Sequence, residues 1–232
     1  MKQSVVTRLA LPALMASSLL LCLAYWWLGN LPHEISGTGL FVLLGWHIAS
    51  NRRWFKNMFR GRYNGRRLVT LALHLLLIAN MTILLATSVA ISKSIVGIGQ
   101  FPATARLREL HWFSAYWAVI VVGVHLGLHW PRVMTSGRTM LGLPAPGRFQ
   151  IWALRCAAAF AFCFGIWSFI LLGVWTKLTF RYSLDFWDFS ASAAPFFGHW
   201  AGVATLPTIF TYYLTLWWRA RGRAMGSSQS ST

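Results

Sequence analysis

Long apolar runs alternate with short basic stretches along this chain. Residues 9–29, 33–50, 68–92, 110–130, 156–176 and about 196–218 are six such runs. A membrane-spanning helix needs roughly 20 predominantly apolar residues, and these runs match that length. The second run is short, which puts His33 and Glu34 at its mouth. The pattern predicts an all-α fold, a polytopic membrane helix bundle with six transmembrane helices. One membrane domain over 1–223 accounts for nearly the whole chain, and the Gly/Ser-rich stretch 224–232 is expected to be a disordered tail.

Composition supports this reading. Hydrophobic residues make up 56% of the 232 positions and charged ones 11%, whereas soluble domains average about 25% charged. The net charge of +17 taken alone would suit nucleic acid. The basic residues, however, cluster between uncharged runs, so no nucleic-acid partner is expected, and the bilayer is the primary one. With the N-terminus inside, 16 of the 21 Lys+Arg face the cytoplasm, and all four acids (Glu34, Glu109, Asp185, Asp188) lie outside. The positive-inside rule therefore places both termini in the cytoplasm. The location expected is the bacterial inner (cytoplasmic) membrane, crossed several times. A cleaved signal peptide is disfavoured by the length of the first run and its interfacial Trp26-Trp27.

The inner loop 51–67, basic and carrying Trp54, Phe55, Phe59 and Tyr63, is expected on the anionic inner leaflet. The outer stretch 178–197, with Tyr182, Asp185, Trp187 and Asp188, reads as an interfacial helix or a docking surface. Cys22, Cys156 and Cys163 form no C-x-x-C or C-x-x-C-H. Covalent c-type haem and Cys-rich zinc sites are therefore not expected.

Seven histidines fall in or beside the apolar runs: His33, His47, His74, His111, His125, His129 and His199. Ionisable groups at membrane depth are rare and usually functional. His33 to His47 and His111 to His125 are both separated by 14 residues. Fourteen residues turn about 40° short of four full turns and rise about 21 Å, so each pair shares a helix face. The second and fourth runs cross in the same direction. His33 and His111 therefore share an outer depth, and His47 and His125 an inner one. Two facing helices then offer two His–His pairs, one above the other, which suits two haem b groups held edge-on. Gly37, Leu40 and Leu44 on one helix and Ala115, Ala118 and Val122 on the other lie between the pairs and leave room for a large ring. Arg106 and Arg108 at the outer end, or Arg52, Arg53 and Arg132 at the inner end, would pair with haem propionates; topology and headgroup contact explain the inner set equally well. His129 lies 18 residues after His111, five whole turns, and is an alternative inner ligand, as is His74. A quinone contact or simple packing is the other role open to His74. For His199 the roles are proton exchange with a quinol or interfacial placement.

The segment His33-Glu34-Ile35-Ser36-Gly37 through Gly45-Trp46-His47-Ile48, followed by Asn51-Arg52-Arg53-Trp54-Phe55, resembles the flavinylation-associated cytochrome family. His111-Trp112 through His125-Leu126-Gly127-Leu128-His129-Trp130 resembles that family's second histidine helix. The double His-x13-His spacing is also similar to cytochrome b of quinol–cytochrome c oxidoreductases, although no Pro-Glu-Trp-Tyr segment occurs. Ile35 stands where the first family often has Trp. The resemblance covers mainly 33–131, the expected haem-binding core. It implies haem binding and electron exchange with a quinone pool and redox partners. A periplasmic flavoprotein, cytochrome c or iron–sulfur protein is such a partner. The function expected is a di-haem b-type cytochrome, acting as the electron-transfer subunit of a membrane oxidoreductase. The alternatives are a haem or metal transporter, and a non-redox assembly subunit of a membrane complex.

Overall fold

The computed structural model describes residues 5–58, 64–94, 104–181 and 187–229, with the side chains of 5–8, 66 and 222–229 left out. Phe59, Tyr63, Tyr182 and Asp185, named above, lie outside the described residues. The chain is all-helical, with no strand among the described residues. Six longer helices carry the architecture: α1 (Val5–Leu23), α3 (Asn30–Ser50), α5 (Gly65–Ile91), α6 (Ala105–Met140), α7 (Arg148–Leu171) and α9 (Ala194–Gln229). Three short ones sit between them: α2 (Tyr25–Leu28), α4 (Arg52–Met58) and α8 (Val174–Leu178). The first apolar run is thus split at Ala24, and at its end the chain turns into α3 through Gly29, whose φ of 75° favours a residue without Cβ. α6 runs ten residues past the fourth apolar run and keeps its helix through Pro131. α9 runs through the Gly/Ser-rich stretch as far as Gln229.

Helix starts follow local chemistry. Asn64 caps α5 by accepting from the Arg67 backbone N–H at 2.9 Å, and Thr104 caps α6 through Leu107. Three helical stretches are long and apolar enough to cross a membrane: Arg67–Ile91, Ala105–Met140 and Arg148–Leu171; Leu9–Leu23 is a shorter apolar helix. The surface agrees with such a setting. Val42, Phe160 and Ile170 are each more than 60% exposed, and a continuous apolar exterior of this kind calls for lipid or a partner.

Pairwise contacts give the helix directions. His33 near the start of α3 reaches Cys22 at the end of α1, so these two helices form a hairpin. α5 runs antiparallel to α6, with Asn80 against Ser114 and Thr87 against His111. α6 and α9 run parallel: Gly123 faces Ala204 and Pro207, and Gly127 faces Thr208 and Thr211. α7 opposes α9, with Ser168 on His199 and Gly165 on Gly202. Successive long helices therefore alternate in direction.

The tightest packing is where α6 meets α9. A Cβ added at Gly123 would lie 2.6 Å from the Ala204 carbonyl oxygen, and one at Gly127 2.5 Å from that of Thr208. Small residues let membrane helices approach this closely. The Thr208 hydroxyl donates to the Gly123 and Ala204 carbonyl oxygens, each at 2.9 Å. Gly123 and Gly127 lie about 120° and 160° round α6 from His111. The helix thus has a glycine face for α9 and a histidine face for α3 and α5. The core gathers Leu40, Leu84, Ala118, Val119, Val174, Phe196, Trp200 and Val203.

Candidate functional site: two levels of histidine

At the level nearer the start of α6, His33 and His111 face each other with ring centroids 6.1 Å apart. Two imidazoles sharing one metal at about 2 Å each would place their centroids roughly 6 Å apart. Each ring is also oriented from behind. His33 Nδ1 lies 3.0 Å from the Cys22 carbonyl oxygen. A carbonyl only accepts, so in the neutral ring Nδ1 carries the proton and Nε2 the lone pair. His111 Nδ1 lies 3.1 Å from Thr87 Oγ1. The single Thr87 hydroxyl proton goes to the Ile83 and Leu84 carbonyl oxygens at 2.8 and 3.1 Å. With that proton on a carbonyl oxygen, the hydroxyl accepts from His111 Nδ1, which leaves Nε2 bare. Fixing the tautomer through the second nitrogen is what partners of metal-ligating histidines do.

At the other level, His74, His125 and His129 form one group. Their ligand nitrogens all lie within 4.8 Å of one another. Ring centroids are 5.1 Å apart for His74–His125, 5.7 Å for His74–His129 and 4.7 Å for His125–His129. His74 Nδ1 donates to the Thr70 carbonyl oxygen at 2.6 Å, so its Nε2 too is bare. His47 stands near the end of α3 and is half-buried. Trp54 of α4 stacks on His74 at 4.5 Å. The structure thus brings His33 to His111, and joins His125 to both His129 and His74.

Between the two levels, Leu40 and Ala118 are buried in the core, with Ala115 and Val122 packed against it. Gly37 sits against Cys22, where a Cβ would lie 4.0 Å from Sγ. Arg106 and Arg108 are exposed at the start of α6. Arg108 lies about 60° round the helix from His111 and Arg106 about 140°, so Arg108 is the better placed toward that face.

His199 stands apart. It is 7% exposed, hydrogen-bonded through Nδ1 to buried Ser168 at 2.9 Å, and enclosed by Phe164, Trp167 and Trp187. This is a polar lock between α7 and α9. Asp188 is exposed; hydrogen bonds from the Ser190 hydroxyl and from the Ser190 and Ala191 backbone N–H groups hold its carboxyl below the usual range.

Sequence reasoning missed Thr87, the Cys22 carbonyl and Glu34. Glu34 accepts from Asn30 Nδ2 (2.8 Å), Ser92 Oγ (2.9 Å), and the Lys93 and Ser94 backbone N–H groups (2.8 and 3.0 Å). It clasps the start of α3 to the end of α5, one residue from His33. The only signal was an acid at the mouth of an apolar run. Glu34→Gln replaces an acceptor by a donor among donors, and is expected to cost about 2 kcal/mol in a thermal or denaturant titration. No loss would show the clasp to be dispensable.

No family model matches the chain, and none of the curated proteins or solved structures compared with it does either.

Proposed function

We propose that this chain is a di-haem b-type membrane cytochrome relaying electrons across a bacterial inner membrane, between a quinone pool and a redox partner. The observation that carries the reading is the facing His33–His111 pair, with both Nδ1 atoms engaged from behind. That donor set suits a bis-histidine iron, and haem b, when bound, supplies reversible one-electron chemistry. His33 and His111 would hold the outer haem. His47 and His125 would hold the inner one, with His129 or His74 as the alternative ligand. Arg108 and Arg106 would meet propionates at the outer end. The alternating helix directions and the 16 to 5 distribution of basic residues support six spans with both termini cytoplasmic. The outer partner in this scheme is a periplasmic flavoprotein, cytochrome c or iron–sulfur protein.

A second reading draws on His74, His125 and His129, whose three close ligand nitrogens would also suit a single transition-metal ion. In that case the chain is a metal-handling or transport protein.

One experiment separates the two. Pyridine haemochrome with acid–acetone extraction should give two extractable haems per purified chain, which a reduced quinol analogue then reduces. One haem with one equivalent of another metal would favour the second reading. Reduction only by a co-purifying protein would remove the quinone from the proposal.

A further inference from the structure

α7 and α9 touch closely at one end and part at the other. At the Gly165–Gly202 crossing, a Cβ on Gly165 would lie 2.7 Å from the Gly202 carbonyl oxygen. Farther along, toward the start of α7 and the end of α9, a cleft of about 570 Å³ opens between them. Its walls are apolar, made by Ala158, Ala159, Phe162 and Phe210, and its mouth carries Arg155 and Trp217. The small alanines leave the room, and the half-exposed aromatics give the sides. The mouth lies among cations: Arg155 stands 5.5 Å over the Trp152 ring, and Arg221 4.0 Å over that of Trp217.

No acidic side chain among the described residues lines this mouth. The four acids are Glu34, Glu109, Asp185 and Asp188. Glu34 and Glu109 sit at the level of His33 and His111, the opposite end of the bundle, and Asp188 lies six residues before α9 begins. Arg155 and Arg221 are therefore open to an anion from outside the chain. A cationic, tryptophan-bearing mouth above an apolar groove suits an anionic headgroup with an acyl chain.

We propose that the α7–α9 cleft is a binding site for an anionic phospholipid, its phosphate on Arg155 and one acyl chain between Ala159 and Phe210. The site rests on the bundle standing in a bilayer and is independent of the haem assignment. Charge at the mouth supplies the preference for an anionic lipid, and the slot supplies residence. A bound lipid also fills the gap where the two helices part, which ties the inner half of α7 to α9.

The test is native mass spectrometry of the full chain in detergent, titrated with phosphatidylglycerol or phosphatidylcholine of matched chains. Wild type should retain one phosphatidylglycerol in clear preference to phosphatidylcholine. Arg155→Gln should reduce that preference about fivefold, one charge's share of attraction to an anionic surface, and Arg155→Lys should restore most of it. Ala159→Phe, a substitution at an exposed wall, should reduce retention of both lipids by filling the slot. Circular dichroism checks that each variant keeps its helices. If Arg155→Gln leaves the preference unchanged, or Ala159→Phe leaves lipid retention unchanged, the site is overturned. A lipid-free dimer abolished by Ala159→Phe would overturn it in favour of a second copy of the chain. Haem content read on the same samples keeps this outcome separate from that of the cytochrome reading.

Discussion

If the chain carries the two haems proposed, His111→Ala should leave one per chain, and one component should vanish from a potentiometric titration. His33→Ala should remove the same component, because the two rings face each other at 6.1 Å. His47→Ala and His125→Ala should remove the other. The grouping follows from geometry: α3 and α6 run parallel, so ligands pair by depth rather than by helix. Loss of the inner component on His74→Ala or His129→Ala, with His125→Ala retaining it, would reassign the inner ligand within the cluster. Thr87→Val provides a finer check. It removes the acceptor that orients His111 while leaving both rings in place. Loss of such an outer partner typically costs about tenfold or more in affinity, so the outer haem should be lost preferentially in a competition with apomyoglobin. Thr87→Ser should restore retention. Equal haem loss from both levels would mean that Thr87 acts on general packing instead.

Gly127→Val should produce the largest loss of stability of any single substitution considered. The first added carbon would already lie 2.5 Å from the Thr208 carbonyl oxygen and 2.8 Å from Thr211 Cβ. These atoms belong to the α9 backbone and a β-branched side chain, so no flexible group can yield. α9 must move away from α6, breaking the Thr208–Gly123 hydrogen bond with it. Overpacking of this kind costs about 3 kcal/mol or more, and Gly123→Val should behave alike. Gly137 on the same helix has nothing within 4 Å of a built Cβ. Gly137→Ala should be neutral, or stabilising by up to about 1 kcal/mol through the lower helix propensity of glycine. Detergent denaturation followed by circular dichroism would rank the three. If Gly127→Val unfolds at the same point as Gly137→Ala, α6 and α9 are not packed as described.

Helix placement was readable from the sequence because an apolar run of spanning length has few alternatives. The facing of His33 and His111 was readable for a related reason. Spacing along one helix fixes which residues share a face, and run order fixes which helices share a direction. The packing face of α6 was not recognised, although Gly123 and Gly127 stand four apart in the fourth run. Two glycines mark an interface only when a partner backbone is known to lie there.

His74 shows where one-dimensional reasoning stops. Its phase on α5 has no relation in sequence to the phase of α6. Once Thr87 is set against His111, antiparallel packing carries His74 about 19 Å along α5, to the depth His125 reaches about 21 Å along α6. Only that register, held by the Thr87 and Asn80 contacts, adds His74 to the inner histidines. Glu34 has the same dependence, since its donors Ser92, Lys93 and Ser94 lie some 60 positions away. The enclosure of His199 by three aromatic rings and Ser168 likewise joins residues of α7, α9 and the stretch before α9 that no spacing in the sequence relates. By itself the sequence determined that the chain is all-helical and where its long apolar helices lie, together with the shared faces of the paired histidines, but not the split of the first run or the extension of α6 to Met140 and of α9 to Gln229. The properties it determined follow from the 3.6-residue period and the cost of exposing backbone to lipid. Which faces meet was decided only by tertiary packing, because helix rotation and axial register depend on close contact between residues distant in the chain.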